Sequence, residues 1–445
     1  MRIGIVGTGI AGLTAAWELR RAGVSVTVFE KQNTLGMDAH SASFDLGKNN
    51  LDKVEVRADV PSRMFNSALW PNLFKLYQTI GVETCLVDPS KSFSNLDQPA
   101  LLRIKKSLVP TAAASLLLKP AARQIFKDIA RMMSAAPEYL ASKHAKSNQH
   151  DQTMGEYLAS NQYSPAFIHQ FLYPALSSTV CTCSYPSLDS YPATTLLSAM
   201  LNLTAPDCLL RTRNGTRDVV NRLMGHVQEA NQTQPAIDVR LSTAVRSAQQ
   251  SKDTVTVETD SGMMHHFDHL VVATQANAAM RIVDDLSAAE QNGLGSFRYE
   301  NVAVVVHTDP SLMPVRKKDW CTFNMVSDES NSSAMCSIWM NKFYPEWQIE
   351  NGRPVFQTIM PIKQPREEAI ICQSAMQRPV VDKESVKGIE LLDQCRRQLD
   401  RRIWFCGSYA SPGIPLLESG VVSSQNTVSQ IMARQERTSP NTATV

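Results

Sequence analysis

Apolar and polar positions follow different rhythms along these 445 residues, and each rhythm marks a different kind of element. Arg2 to Val6 is a short apolar run suited to a buried strand. Leu13 to Arg21 repeats its apolar residues at helical spacing, and Val24 to Phe29 is β-branched. The opening therefore predicts strand, turn, helix, strand. Leu69 to Ile80 has helical spacing again, and Gly81 supplies the stop. From 101 to 204 the chain is rich in Ala, Leu, Ser and Met at helical period, punctuated by Pro110, Pro120, Pro137, Pro165, Pro174, Pro186 and Pro192, which predicts an all-helical insertion. The period then shortens. AIDVRLSTAVRSAQQ, TVTVETDSG and HLVVATQ read as short strands around a turn at Ser261 and Gly262. YENVAVVVHTD, SSAMCSIWMN and PVFQTIMP alternate as strands of a half-buried antiparallel sheet. RRIWFCGSYASPGIPLLESGVVSSQNTVSQIMA is strand, glycine-rich loop and helix. The polar RQERTSPNTATV that follows is expected to be a disordered tail.

This order predicts an α/β chain, α+β overall, with a Rossmann-like domain built discontinuously from 1–95, 205–290 and 396–433. A substrate domain is interleaved with it, helical over 96–204 and sheet over 291–395, with a tail at 434–445. The chain is long enough for two or three domains.

The glycines decide what the first domain binds. Gly7, Gly9 and Gly12 form GxGxxG between the first strand and helix, and Glu30 ends the second strand eighteen residues past Gly12. Gly7 permits the tight turn, Gly9 lets a pyrophosphate approach the backbone, and Gly12 lets the helix pack on the strand. Glu30 stands where an acid receives ribose hydroxyls, and its charge argues against a 2′-phosphate. A second glycine-rich strand-loop-helix lies at the other end of the chain. A nicotinamide enzyme usually completes its binding domain contiguously, so two distant halves point to one larger cofactor.

With these residues the sequence resembles the flavin-containing amine oxidoreductase family, over most of its length and with interruptions. GTGIAG with Glu30, LRTRNGTRDVVNRL at 210–223, the VRLSTAV strand, DHLVVAT at 268–274, and WFCGSY with LLESGVV match that family's segments in order. DVPSRMF, WPNLFKLYQTIGV and HTDPSLMP are similar to a branch described only as FAD-dependent or NAD/FAD-binding oxidoreductases. The resemblance implies FAD held by Gly7, Gly9, Ile10, Ala11, Gly12, Glu30, Lys31 and Gly36, by Val245 at the adenine, and by Gly407 and Ser408. It also implies a helix beginning near Gly420, with unpaired amides of Gly420 and Val421 facing N1 and O2 of the reduced ring. Three departures stand out. The family's L-G-G-R is Leu35, Gly36, Met37 and Asp38, so the phosphate arginine is replaced by an acid. Ser408 replaces the usual acid after the C-terminal glycine, and SPGIPLLESG offers Ile414 and Pro415 where amine oxidases carry a cage aromatic. Cys406 lies within the strand, outside the setting used for covalent attachment, so the FAD is expected to be noncovalent.

With no second GxGxxG, electrons are expected from the substrate and not from NADPH. The implied reaction is removal of a hydride from a CH–CH or CH–NH bond of a hydrophobic small molecule, with the electrons passing to dioxygen or another acceptor. Two alternatives are a redox-neutral FAD isomerase of an unsaturated lipid or polyketide, and a noncatalytic escort protein similar to the GDP-dissociation inhibitors. Lys342 and His307, both at strand ends, and Tyr409 beside the C-terminal loop are the candidate catalytic side chains; each also has an ordinary structural reading.

Composition narrows the partners. Lys and Arg total 44 against 42 Asp and Glu, which gives no footprint for nucleic acid. Nine scattered cysteines read as reduced thiols, and Cys181 with Cys183 has no second pair, so no metal site is expected. The apolar stretch at 107–118 contains a proline and falls short of the roughly 20 residues that span a bilayer. The first strand begins at residue 2, which leaves no room for a leader, so a cytoplasmic protein is expected. Arg123, Lys127 and Arg131 make one helix face basic, a surface suited to solvent or to peripheral contact with anionic lipid. The oligomeric state is not readable.

Overall fold

The computed structural model describes residues 1–38, 40–47, 54–105, 119–144, 151–203, 209–228, 237–347 and 353–438. The apolar stretch at 107–118, Cys208 and the tail beyond 438 lie outside them.

The opening residues form β1 (Arg2–Val6), α1 (Ile10–Arg21) and β2 (Ser25–Phe29). Both strands join a five-stranded parallel sheet in the order Ile237–Arg240, β2, β1, His269–Val272, Ile403–Phe405. A parallel strand covered on both faces has no polar side, which is why these runs are continuous in apolar residues. In register, Ile3 and Ile5 of β1 stand opposite Val26 and Val28 of β2, and all four are buried. Val245–Gln250, Val255–Thr259 and Met264–Phe267 form an antiparallel meander, with Gly262 at φ +79 in its turn.

A seven-stranded sheet forms the second body. Its order is Ile370–Pro379, Tyr299–His307, Phe356–Ile359, Ala334–Trp339, Phe323–Ser327, Lys91–Asn95, Leu102–Ile104. It is mixed and not purely antiparallel, because Lys91–Asn95 runs parallel to Phe323–Ser327. Helices cover one face, and helix and sheet share one apolar core in which the Phe93 and Phe171 rings lie 4.9 Å apart. One run in this helical layer is unusual. After Pro165–Phe167 the chain widens into π-helical turns at Ile168–Leu172 and Leu176–Val180. Pro174 lies between them and brings no N–H, so the regular ladder breaks and amides reach one residue further back, as from Cys181 to Leu176 O at 2.9 Å.

The C-terminal helix, Leu417–Thr438, lies along α1. It starts three residues before Gly420 and continues through 434–438, which the polar pattern assigns to the tail. Glu418 in its first turn reaches α2 (Pro71–Thr79), where its carboxylate accepts from the Asn72 amide (3.1 Å), Asn72 Nδ2 (2.7 Å) and the Leu73 amide (2.7 Å). It thus satisfies α2's leading donors from another element. Glu418→Ala should lower stability by roughly 1–2 kcal/mol through loss of this cap. Native-state hydrogen exchange checks it: amides of 71–80 should exchange faster, and unchanged protection there would contradict the assignment.

Candidate functional site

The two bodies enclose a cavity of about 1100 Å³. A pocket of roughly 300–1,000 Å³ serves one small ligand, so this volume accommodates an extended group with a second molecule beside it.

One end is built by the β1–α1 turn. Gly7 has φ +98, and a Cβ on Gly12 would stand 1.9 Å from Gly7 O, so only glycine at 12 lets the helix close on the strand. Gly9 is different: nothing lies within 4 Å of where its side chain would begin, because it faces the open cavity. Leu13 donates to Gly9 O at 3.0 Å, which leaves the amides of Ile10 and Ala11, both on the cavity wall, at the positive end of the helix. The acid at the end of β2 is buried. Glu30 Oε2 accepts from the Thr8 amide (3.1 Å) and Thr8 Oγ1 (2.5 Å), and Oε1 accepts from the Gln32 amide (3.0 Å). A carboxylate has about four lone-pair sites, so Oε1 retains capacity for a hydroxyl. Thr8 Oγ1 in turn accepts from the Gly36 amide at 2.7 Å. Thr8 therefore ties the glycine turn, the acid and the Leu35–Gly36 turn together. Lys31, Thr243, Ala244 and Val245 complete this end.

Beyond the turn the wall is formed by Gly407, Ser408 and Tyr409, then by Pro415, Leu416 and Leu417. A Cβ on Gly407 would meet the Tyr409 ring at 2.8 Å. That ring packs edge-on to Phe297 at 4.9 Å, and its buried hydroxyl has no partner among the described residues. Burial holds the phenol well above its usual pKa, so it is a proton donor looking for an acceptor. The far end is apolar, with Phe93, Val304 and Ile338 from the mixed sheet and Phe171, Leu176 and Val180 from the π-helical run.

The model of one family, described as flavin containing amine oxidoreductase, matches residues 10–363. The chain belongs to that family. Among solved structures it is similar to a mutant of putrescine oxidase redesigned in its cofactor binding, at 14% identity and TM-score 0.66, over 98% of this chain and 99% of that one. A putative protoporphyrinogen oxidase from Exiguobacterium sp. 255-15 matches at 14% identity and TM-score 0.66, again over 98% and 99%. A CLA-producing fatty acid isomerase from P. acnes matches at 14% identity and TM-score 0.64, over 96% of this chain and 98% of that one. No curated protein matches the chain.

Against the flavin family's pattern, Gly7, Gly9, Ile10, Ala11, Glu30, Lys31, Gly36, Val245, Gly407, Ser408 and Tyr409 share one cavity, and Gly12 supports its turn. Four expected site residues lie elsewhere. The Gly420 amide is engaged by Leu416 O at 3.2 Å, and a Cβ there would stand 2.6 Å from Ile10 Cγ2. Its glycine lets two helices touch; the amides leading this helix belong to Leu417 and the residues after it. Val421 is fully buried in the core beside Ile10 and Leu13. Lys342 turns away from the cavity: its Nζ lies 2.7 Å from Asp88 Oδ2 and donates to Ser90 Oγ at 3.0 Å. Burial opposes the Asp88 charge, yet the bonds from Lys342 and Ser90 hold its carboxyl below the ordinary range. His307 is buried in the mixed sheet. Its Nδ1 accepts from the Asp309 amide at 3.2 Å, which assigns the proton to Nε2 and a donated bond to Thr358 Oγ1 at 2.8 Å. Asp38, standing where the family arginine would be, is off the cavity wall and paired with Arg57 (2.7 Å) and Arg217 (2.8 Å). Burial would raise its pKa, but those arginines hold it lowered, and its charge is neutralised before it can oppose a phosphate.

Sequence reasoning missed Thr8, Arg63, Arg378 and the π-helical wall. Thr8 lies inside GTGIAG, and Pro174 inside a helical run signalled the irregular turns; the two arginines carried no signal. Among the described residues, no group of three or more His, Cys, Asp or Glu is placed to hold a metal, and no helix is long and apolar enough to cross a membrane.

Burial depresses both His307 and His269 to about 4, so both are neutral in the fold. The unfolded chain takes up these protons below its ordinary histidine pKa while the folded chain resists until about pH 4. Stability is therefore full above roughly pH 6.5 and falls as pH drops, by roughly 3 kcal/mol per histidine at the lower limit. His307→Gln should remove its share of that slope in urea midpoints measured across the window; an unchanged slope would contradict the buried neutral assignment.

Proposed function

We propose that this chain is an FAD-dependent oxidoreductase that holds its cofactor noncovalently and takes a hydride from a C–H bond of a hydrophobic small molecule. One observation carries the reading: a single cavity joins the open backbone of Gly9, the Gly407–Tyr409 turn and an apolar chamber under the mixed sheet. The residues present fit the cofactor. Gly9 leaves room for a pyrophosphate against the Ile10 and Ala11 amides, Glu30 keeps capacity for a ribose hydroxyl, and the Gly407–Ser408 turn borders the same space. Bound FAD supplies a two-electron acceptor, and dioxygen or another acceptor removes the electrons afterwards.

The protein's own part is positioning and exclusion of water. Leu416 and Leu417 bring the positive start of the C-terminal helix to the cavity wall, where it stabilises negative charge. The apolar walls exclude solvent around the reacting C–H bond. Cys406 takes no part. It is fully buried, its thiol is pushed up to about 11 by burial, and it offers no nucleophile for tethering a flavin. Two of the neighbours above carry oxidase names and one an isomerase name; their low identity supports the fold and leaves the choice of chemistry to experiment. Anaerobic turnover without any acceptor would select the redox-neutral isomerase instead.

Two substitutions in one motif test the cofactor reading. A side chain at Gly9 meets only the cavity, whereas one at Gly12 collides with Gly7 O. Gly9→Val should therefore yield folded protein that has lost its flavin absorbance, and Gly12→Val should fail to accumulate as folded protein. Folded Gly9→Val with a full complement of flavin would overturn the assignment.

A further inference from the structure

The charges on the cavity wall are one-sided. Glu30 is the lone carboxylate among the described lining residues, and it is engaged by Thr8 and Gln32. Of the four arginines on this wall, Arg246 is paired with Glu258 and Arg281 is exposed to solvent, whereas Arg63 and Arg378 are more enclosed and have no acid beside them among the described residues. Arg63 comes from the cofactor side, where Nη2 donates to Met37 O at 3.1 Å and its buried Nε has no partner among the described residues. Arg378 comes from the Ile370–Pro379 strand, and Nε donates to Thr182 Oγ1 at 2.8 Å. Neither has a carboxylate within ion-pair reach among the described residues.

The nearest acid to Arg378 in the sheet is occupied elsewhere. Glu300 stands directly opposite it in register, but its carboxylate accepts from the Ser184 amide (2.7 Å), Ser184 Oγ (2.8 Å) and Ser187 Oγ. Thr182, the residue that does bond Arg378, holds a left-handed backbone at φ +47 and lines the cavity. Its own proton goes to Cys181 O at 2.8 Å, so its hydroxyl oxygen is free to accept from the guanidinium. Arg378 is thereby oriented by a neutral partner while its charge stays uncompensated. Burial lowers its pKa; the neighbouring Tyr191, Cys181 and Cys183 oppose that shift, and the charge of Arg63 adds to it. An enclosed cation without a counterion is costly, and the cost is relieved when a ligand brings the anion. The pyrophosphate expected at the start of α1 lies on the other body and leaves Arg378 unmatched.

We infer that the chamber receives an apolar carboxylic acid, with its carboxylate on Arg378 and its hydrocarbon portion along Phe93, Phe171, Val304, Ile338 and Ile359. This deepens the reading above and rests on it only for the reaction, not for the binding. The same charges disfavour an amine: a cation entering the chamber meets two guanidinium groups and no free carboxylate on the described wall. A guanidinium forms paired bonds to the planar carboxylate, so the head group is fixed while the tail lies in the apolar part.

The test is calorimetric titration of the purified protein with decanoate, decanol and decylamine, with flavin content measured on the same samples. Decanoate should bind about 10- to 100-fold more tightly than decanol, the range of a charge-assisted pair, with decylamine weakest. Arg378→Met should bring decanoate to the level of decanol while flavin content stays as in the parent and the thermal midpoint does not fall, since an uncompensated buried charge is removed, and Arg378→Lys should recover part of the difference. Decylamine binding as tightly as decanoate, or an Arg378→Met protein that binds decanoate as the parent does, would overturn the inference. So would loss of flavin in Arg378→Met with decanoate binding intact, since the guanidinium would then serve the cofactor. A colourless protein that still prefers decanoate through Arg378 would refute the cofactor reading and keep this one.

Discussion

The arrangement depends on the contact between the two ends of the chain. With no side chain at Gly420, the C-terminal helix comes so near α1 that an added Cβ would stand 2.6 Å from Ile10 Cγ2. Two serines on that helix use the closeness. Ser424 donates to Ala11 O at 2.5 Å, and Ser423 Oγ accepts from the Gly407 amide at 3.0 Å while donating to Gly407 O at 2.9 Å. One helix therefore holds both glycine turns, so the start of α1 and the Gly407–Tyr409 loop keep a fixed distance. A cofactor long enough to touch both turns meets a rigid frame, which is the condition for strong positioning.

The electrostatics follow from the same frame. The positive end of α1 faces the cavity, and the acid that replaces the family arginine, Asp38, is held away by Arg57 and Arg217. The departure most damaging to phosphate binding on paper is thus neutralised within the fold. Further along, the mixed sheet and the π-helical run provide apolar walls, and Arg378 sets a charge among them.

Much of this was legible where the signal was local. β1, α1 and β2 needed only apolar runs and three glycines, and the meander around Gly262 needed only alternation and a turn residue. Lys91–Asn95 was not legible, because KSFSN is polar yet buried: Ser92 Oγ donates to Asn324 Oδ1 at 2.7 Å across to the neighbouring strand, a satisfied pair that hydropathy reads as surface. Ile370–Pro379 escapes the pattern because it is an edge strand whose alternating residues are largely polar and exposed. The site residues divide in the same way. Those fixed by backbone shape, such as Gly9 and Gly407, could be named in advance. His307 and Lys342 do stand at or beside strand ends as expected, but Thr358 and Asp88 decide which way they turn. A glycine near a helix start and a glycine at a helix contact look alike in one dimension, so Gly420 reads as the start of a helix whose first residue is Leu417.

The most direct test of this account is hydrogen exchange compared between apoprotein and FAD-loaded protein. The claim that one cofactor spans both ends predicts that amides of 7–13 and of 407–417 gain protection together, over the same range of FAD concentration. Protection confined to 7–13, with the C-terminal turn exchanging as in the apoprotein, would contradict it.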